Sequence, residues 1–420
     1  MMNARMDSSA KYAGLATVIA GCTILALAAG LRQTSGVFLQ PVTMDLNLSR
    51  QSFGLAVGIQ NLVWGLSQPL AGYLADRYGA KPVALVCGLM YSAGLALSSA
   101  AAGSMWLAAT LGVLIGFGQA GTSYAVILAA VGKAVAVERR SSVLGLASAA
   151  GSLGMFVLVP VTQGLISSAG WRAAFLFLAG LSFLGVVAAF AIGRPGSDTN
   201  GIADRAAAGR TSSPFGETVK IAGRNGGWWL LTTGFAVCGF QLAFIATYLP
   251  SALTDASLSA ATGARVLATI GFANIVGTYL FGVAGRTRPK NRLLACIYLA
   301  RGAALLLFVL APRTALSAYV FGATMGLLWS ATVPLTAGLV SDLFGHRNVA
   351  FLFALVYIGH QIGSFVGAWV GGAVYSAAGS YEPVWVAAVL LSILSAALHW
   401  PIKLPALNPG LPVAAANVHF

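Results

Sequence analysis

Apolar residues run along this chain in stretches long enough for a helix to cross a bilayer, about 20 residues each, and polar residues gather in the short gaps between them. In order, the stretches cover 13–40, 52–75, 81–101, 105–132, 142–166, 172–193, 228–252, 262–285, 292–311, 316–341, 349–376 and 384–402. They predict twelve membrane helices, numbered 1 to 12 in that order. The widest gap, 194–227, is rich in Gly, Ser, Arg and Ala, carries charges of both signs and reads as a cytoplasmic linker. It divides the chain into a six-helix bundle over 1–193 and a second over 228–420, an all-α membrane fold.

The gaps also differ in charge. With the amino terminus inside, eighteen basic residues fall on the cytoplasmic side, among them Arg77, Lys81, Arg139, Arg140, Arg286, Lys290 and Arg347. Only four, Arg50, Arg172, Arg265 and Arg313, fall outside. Short loops rich in Lys and Arg stay on the cytoplasmic side during insertion, so both termini are expected there. The first apolar run begins after Lys11, is too long for a signal-peptide core and lacks a cleavage site, so it is expected to remain as helix 1.

Composition agrees with that picture. The chain has 420 residues, 58% hydrophobic and 8% charged, with mean hydropathy +0.83; soluble domains carry about 25% charged residues. A formal charge of +14 would suit a nucleic-acid partner, but the basic residues are scattered in pairs between apolar runs and form no basic face. The four cysteines, Cys22, Cys87, Cys238 and Cys296, lie within apolar runs without paired or ligand-like spacing and read as small core residues. No metal-ligand spacing, nucleophile elbow or phosphate loop appears, so neither an enzyme nor a bound cofactor is expected.

The two halves echo one another, as internal repeats of a membrane fold do. Gly154 and Gly170 in helix 5, and Gly363 and Gly379 in helix 11, are both sixteen residues apart, each pair preceded by a basic loop (Arg139 and Arg140; His346 and Arg347). The hairpin Gly72 to Lys81 has a counterpart at Gly282 to Lys290 that keeps the basic cluster and loses the acid.

All ten acidic residues fall in loops, tails or helix ends, so no carboxylate sits mid-membrane to carry a proton. Two arginines do lie within spans, Arg32 and Arg301. Each must face a partner or a wet cavity, because an arginine at a helix centre costs about 2.5–3.5 kcal/mol on insertion scales. A guanidinium without an acidic neighbour in its own span suits a carboxylate ligand, which it binds bidentately. Arg32 is the anion-site candidate, with snorkelling to the outer interface as the alternative. Arg301 reads as structural, bonded to carbonyls of a neighbouring helix. Gln33, Gln60, Asn61, Gln119 and Gln241 offer further polar contacts, and Tyr124, Phe240, Phe244, Tyr248 and Trp329 offer walls for a small, partly apolar molecule. His360, beside Gln361 in helix 11, has the one type of side chain in the spans that ordinarily titrates near neutrality; it either binds an anion or relays a proton, or is a neutral imidazole bonded to a carbonyl. Trp106, Trp171, Trp228, Trp229, Trp385 and Trp400 lie near span ends and read as interfacial anchors.

The hairpin Gly72 to Lys81 reads Gly-Tyr-Leu-Ala-Asp-Arg-Tyr-Gly-Ala-Lys. It resembles the loop between helices 2 and 3 of the major facilitator superfamily of secondary transporters. Gly72 and Gly79 are expected to let two helix ends approach, Arg77 and Lys81 to be held in the cytoplasm, and Asp76 to act as a latch made in one conformation and released in another. Gly-Leu-Arg-Gln-Thr-Ser-Gly-Val-Phe at Gly30 to Phe38, Cys-Gly-Phe-Gln-Leu-Ala-Phe-Ile at Cys238 to Ile245 and Gly-His-Gln-Ile-Gly-Ser-Phe at Gly359 to Phe365 resemble the bacterial branch of the monocarboxylate and oxalate/formate transporters. The resemblance implies an inner-membrane, monomeric alternating-access transporter of a small organic anion, working by proton symport or anion exchange. Helix 1 lacks the acidic-Gly-aromatic signature of the animal members, and helix 8 lacks an Asp-Arg pair, so the anion charge would fall to Arg32 and His360. Proton-coupled efflux of drugs or metabolites is the rival reading, although helix 5 offers Gly151, Gly154, Pro160 and Gly164 without the Gly-Pro-x-x-Gly-Gly run expected of such exporters.

Overall fold

A computed structural model of the chain describes residues 2–193, 215–344 and 349–403. Helix 1 comprises Met2–Gln33 and Ser35–Asp45, helix 2 is Arg50–Tyr78, and helix 3 is Ala80–Ser99. Helix 4 is the succession Ser104–Leu107, Ala108–Leu114, Ile115–Gly121 and Tyr124–Lys133, its second piece wound as a π-helix. Helices 5 and 6 form one run, Val137–Ala189, broken at Gly170. A short helix, Phe215–Gly223, precedes helix 7 at Gly226–Asp255. Helix 8 is Ala260–Thr287, helix 9 Lys290–Leu310, helix 10 Ala315–Leu328 followed by Thr332–Phe344, helix 11 Val349–Ala378 and helix 12 Glu382–His399.

All twelve predicted spans are present among the described residues. Ten helical stretches there are long and apolar enough to cross a bilayer; Glu138–Ala189 counts among them once, though Gly170 divides it. Arg50–Tyr78 is long enough at 29 residues but carries Gln51, Gln60, Asn61 and Gln68 along its length. Several helix starts are fixed by side chains that accept a backbone N–H of the first turn: Ser49 from Ser52, Asn225 from Trp228, Ser259 from Thr262 and Thr314 from Ser317. Part of the expected linker is helical, with Ala222 buried; residues 194–214, and His346 with Arg347, lie outside the described residues.

The glycine echo has a physical basis. A Cβ on Gly154 would stand 1.8 Å from the carbonyl oxygen of Ala26 in helix 1, and one on Gly363 would stand 1.9 Å from that of Ala236 in helix 7. Helix 5 thus presses on helix 1, and helix 11 on helix 7, at points where only glycine fits. Sixteen residues on, Gly170 (φ 82°) and Gly379 (φ 68°) turn the chain with left-handed backbone.

The halves meet along helices 2 and 11 and helices 5 and 8, and helices 1 and 7 touch at the end that carries Arg50. There one apolar core runs through both halves, joining Phe38, Phe53 and Phe175 to Tyr248 and Leu249. Toward the Asp76 end the first half keeps a separate core around Leu25, Trp64, Ile127 and Val131, which Tyr357 of helix 11 borders. The molecule is therefore drawn together at the Arg50 end.

Two expectations change here. Trp385 is buried, packed edge-on against Phe244, Phe308 and Phe321, because helix 12 docks on helices 7 and 9 along a stripe of Trp385, Ala388, Ser392, Ser395 and His399. Trp171 and Trp228 are buried too, whereas Trp106, Trp229 and Trp400 are exposed. Cys296 is exposed on helix 9 and is no core residue, although the other three cysteines are buried or partly so.

Candidate functional site

Among the described residues three helices are interrupted part-way: helix 1 at Thr34, helix 4 at Thr122 and Ser123, and helix 10 at Trp329–Ala331. Thr34 turns its hydroxyl back onto the Leu31 carbonyl at 2.7 Å. In helix 10, Pro334 lacks an N–H for the turn before it and loosens the ladder at the same point. Interrupted backbone within a membrane is tolerated where it borders a cavity or is paired by protein groups.

A small cavity lies between the halves at the breaks in helices 1 and 10. It encloses about 20 Å³, room for one water, so this conformation is contracted around it. Arg32 and Gln33 enter from helix 1, Gln60 and Asn61 from helix 2, Thr247 from helix 7 and Trp329 from helix 10. The Arg32 guanidinium stands 5.2 Å from the Trp64 ring centroid and pairs with no carboxylate among the described residues. The Gln33 amide nitrogen, the Thr247 hydroxyl and the Trp329 indole nitrogen are all buried without a hydrogen-bond partner. Asn61 is satisfied by the Val57 carbonyl at 2.9 Å. The lining thus offers an unpaired cation and three unused polar groups, each able to donate, and no acid.

Other predicted site residues lie outside that lining. Gln119 donates to the Tyr91 hydroxyl at 3.5 Å, and the Tyr124 hydroxyl fills the space over Gly151 of helix 5. Gln241 turns away into the second half, donating to Ser392 at 2.5 Å and to the Ala388 carbonyl at 3.0 Å, and Phe244 packs on Trp385. The His360 ring stacks on Tyr357 at 5.1 Å, with Nδ1 at 3.2 Å from Gln361 Oε1. Gln361 lays its stem over Gly65, where helices 2 and 11 touch. Trp64 and Thr247 were not singled out by sequence; Thr247 follows Phe244 by one helical turn, a usable signal.

Arg301 is fully buried. It donates to the carbonyls of Leu328 (2.6 Å) and Trp329 (2.8 Å) at the break in helix 10, and to the Cys238 sulfur at 3.1 Å. The helix-carbonyl bonds expected of it are present, and the negative end of the Ala315–Leu328 dipole faces its charge.

At the ends, acids and bases are distributed by a common plan. Asp45 closes helix 1 and pairs with Arg172 of the same half, while Trp171 Nε1 donates to it at 3.2 Å. Asp255, its counterpart at the end of helix 7, pairs with Arg50 of the other half through two bonds of 2.5 and 2.8 Å. Arg50 also donates to the Tyr381 hydroxyl (2.7 Å) and lies 3.8 Å from the Tyr375 ring centroid, and Gln40 donates to Asp255 at 3.1 Å. This cluster clasps the halves together.

At the opposite end the described ion pairs stay within a half. Lys133 reaches Asp76 at 3.5 Å, both exposed, and Lys290 reaches Asp342 at 2.7 Å. The acid missing from the second hairpin is therefore supplied by helix 10. Arg77 donates to Tyr73 at 3.0 Å, and Lys81 to the Phe190 carbonyl at 2.6 Å. Gly72 faces open space and brings no helix end close; Gly79 instead turns the chain between helices 2 and 3 with φ 93°.

A polytopic helical chain folded in two halves around a polar cavity has the architecture of a membrane transporter. Residues 21–337 match the model of the Major Facilitator Superfamily, and the chain belongs to that superfamily. It is 26% identical over 369 residues to monocarboxylate transporter 13 of Rattus norvegicus, covering 86% of this chain and 82% of the relative. It is 24% identical over 352 residues to the uncharacterized MFS-type transporter YhjX of Escherichia coli, covering 82% and 84%. In fold it matches a bacterial homolog to the human lysosomal transporter Spinster, crystallised inward-facing and occupied, with a TM-score of 0.73 at 16% identity over 91% of this chain and 95% of that one. The crystal structure of the D-xylose-proton symporter gives 0.71 at 14% identity, over 93% and 97%.

Proposed function

We propose that the protein is a secondary transporter of a small, monocarboxylate-like organic anion, moved by alternating access between the bundles 1–193 and 228–420. One observation carries this reading: the cavity between the halves is lined, among the described residues, by an unpaired guanidinium and three buried, unpartnered groups able to donate, with no acid. A carboxylate is acceptor-only and fits such a lining. Similarity to monocarboxylate transporter 13 supports the same substrate class.

The donors also suggest how binding and closure are linked. Arg32 and Gln33 belong to the first half, Thr247 and Trp329 to the second. An anion between them bridges the halves. Closing on nothing leaves buried donors unpaired, at about 1–3 kcal/mol each, so the loaded carrier closes more readily than the empty one. That difference favours exchange, in which only the loaded carrier crosses; net symport needs the empty carrier to return as well. The charge asymmetry of the loops supports an orientation with the Asp76 end and both termini on the cytoplasmic side, in this reading of a bacterial inner membrane. Asp76, Arg77 and Lys81 then form the cytoplasmic latch, and the clasp around Arg50 and Asp255 closes the outer face. His360, beside the contact of helices 2 and 11, remains the candidate proton relay, and Gln361 a candidate substrate contact.

The test is uptake of labelled monocarboxylates and dicarboxylates into proteoliposomes, with and without an inward proton gradient and with internal anion. Acceleration by the gradient identifies symport, and acceleration only by internal anion identifies exchange. Arg32→Gln is expected to abolish uptake in a chain that still folds. Unchanged apparent affinity in that variant removes Arg32 from the site, and no carboxylate uptake by the unaltered protein rejects the substrate class.

A further inference from the structure

The break in helix 10 leaves backbone groups that the membrane interior cannot satisfy. Its carbonyls at Leu328 and Trp329 are taken by Arg301. Its N–H at Ser330 is taken by Asn274 of helix 8, whose Oδ1 accepts at 2.9 Å and also accepts from the Thr278 hydroxyl at 3.2 Å. A backbone N–H only donates, so it dictates which way the Asn274 amide is turned. The amide nitrogen then faces outward from helix 8, and it donates to the Ser152 hydroxyl of helix 5, in the other half, at 3.0 Å. Both side chains are almost fully buried, Asn274 at 4% exposure and Ser152 at 5%.

This bond crosses the interface between the halves, from helix 8 to helix 5. One turn away, a Cβ on Gly271 would lie 2.9 Å from Met155 Cβ and from the backbone nitrogen of Phe156. The Ser152 contact therefore lasts only while helices 5 and 8 stay together. On its other side, Ser330 is bonded in sequence to Trp329, whose indole borders the cavity with its N–H unused. Ser152, Asn274, Ser330 and Trp329 make an unbroken chain from the interface between halves to the cavity wall.

We propose that Asn274 is a positioning residue that couples contact between helices 5 and 8 to the placement of Trp329 in the cavity. When the halves part there, the amide loses Ser152, is free to rotate and releases the Ser330 N–H, and the break in helix 10 relaxes with Trp329 on it. Linkage makes the effect reciprocal: a ligand held by Trp329 tightens the contact of helices 5 and 8. The proposal rests on the cavity being the transport site, and it concerns a group that touches neither substrate nor Arg32.

Ser152→Ala tests it, because that change removes only the bond across the interface. Backbone amide exchange, followed by mass spectrometry on the full chain in lipid nanodiscs, is expected to rise about 2- to 10-fold in the segment holding Ser330, the factor belonging to one hydrogen bond. Asn274→Leu is expected to raise it at least as much. Exchange at Ser330 that is unchanged in Ser152→Ala overturns the coupling, whatever Asn274→Leu does. In carboxylate uptake, Ser152→Ala is expected to raise KM in the unaltered protein and to have no such effect in a Trp329→Phe background; equal effects in both backgrounds overturn action through Trp329. Should the unaltered protein carry no carboxylate, the substrate reading fails and the exchange measurement still decides the coupling.

Discussion

Asp255→Asn is expected to loosen the clasp that draws the two halves together. In the structure two parallel bonds, 2.5 and 2.8 Å, join Arg50 to Asp255, with side chains 15% and 29% exposed. Two unit charges about 4 Å apart attract by about 4 kcal/mol at an effective dielectric of about 20. Desolvation of both ions and residual screening remove much of that. Asparagine keeps one acceptor for Arg50, and the Tyr381 hydroxyl and Tyr375 ring remain, so the net loss is set at about 1–2 kcal/mol. That shifts the balance between closed and open states at this end about 5- to 30-fold toward open. Nitroxides at Met44→Cys and Leu316→Cys in a Cys296→Ser background read the change, since both positions are well exposed, at 79% and 74%, and sit on opposite halves at the Arg50 end. Double electron–electron resonance should show a longer-distance population grow in Asp255→Asn. Arg50→Gln should produce a similar shift, and the double variant no more than either alone. Added salt should narrow the difference between variant and unaltered protein. Unchanged distance distributions in both single variants at low ionic strength would refute the reasoning, and so would full additivity in the double variant.

Other outcomes are also expected. Arg32→Lys should keep the charge at the cavity and lose the bidentate geometry, so anion KM should rise well above that of the unaltered protein while thermal stability holds. Arg301→Met should leave the Leu328 and Trp329 carbonyls unpaired at about 1–3 kcal/mol each and lower the melting temperature in detergent; an unchanged melting temperature would mean that the break finds other donors. Gly363→Ala should weaken the contact of helices 7 and 11, because its Cβ would fall 1.9 Å from the Ala236 oxygen, whereas Gly164→Ala, with nothing within 4 Å, should leave thermal stability nearly unchanged. The bond from Arg172 holds the Asp45 carboxyl below its ordinary value. A lowered acid contributes stability above its unfolded value of about 3.9 and loses it as pH falls through the folded value. Trp171 fluorescence, reporting on the same carboxylate, should therefore stay constant from pH 7 to 5 and change only in stronger acid, and Asp45→Asn should remove that change.

Much of this protein was legible along the chain. Twelve apolar runs sufficed for twelve spans, because bilayer thickness and the need to pair every backbone group leave helices as the only way through for such runs. The glycine echo was legible for a similar reason: a backbone contact too close for a Cβ and a left-handed helix end each demand one residue type, so their spacing survives in both halves. Arg32 stood out because an unpaired charge in an apolar run is costly wherever it points, and it does border the cavity with Gln33 and Trp329.

Side-chain direction was not legible. Gln241 and Phe244 lie on a cavity-forming helix, yet they face Ser392 and Trp385, because helix 7 also packs on helix 12. Trp385 sits near a span end and is nonetheless core. Asn274, the amide of helix 8, gave no sequence sign of bridging Ser152 and Ser330, since both partners are more than fifty residues distant. Sequence by itself determined the spans, the repeated glycine spacing and the scarcity of charge within the membrane, all of which follow from local cost in a bilayer. Only the tertiary structure decided which face of each helix meets the cavity, which acid is shared between halves and where helices 1, 4 and 10 break, because those depend on neighbours that the chain brings together only when it folds.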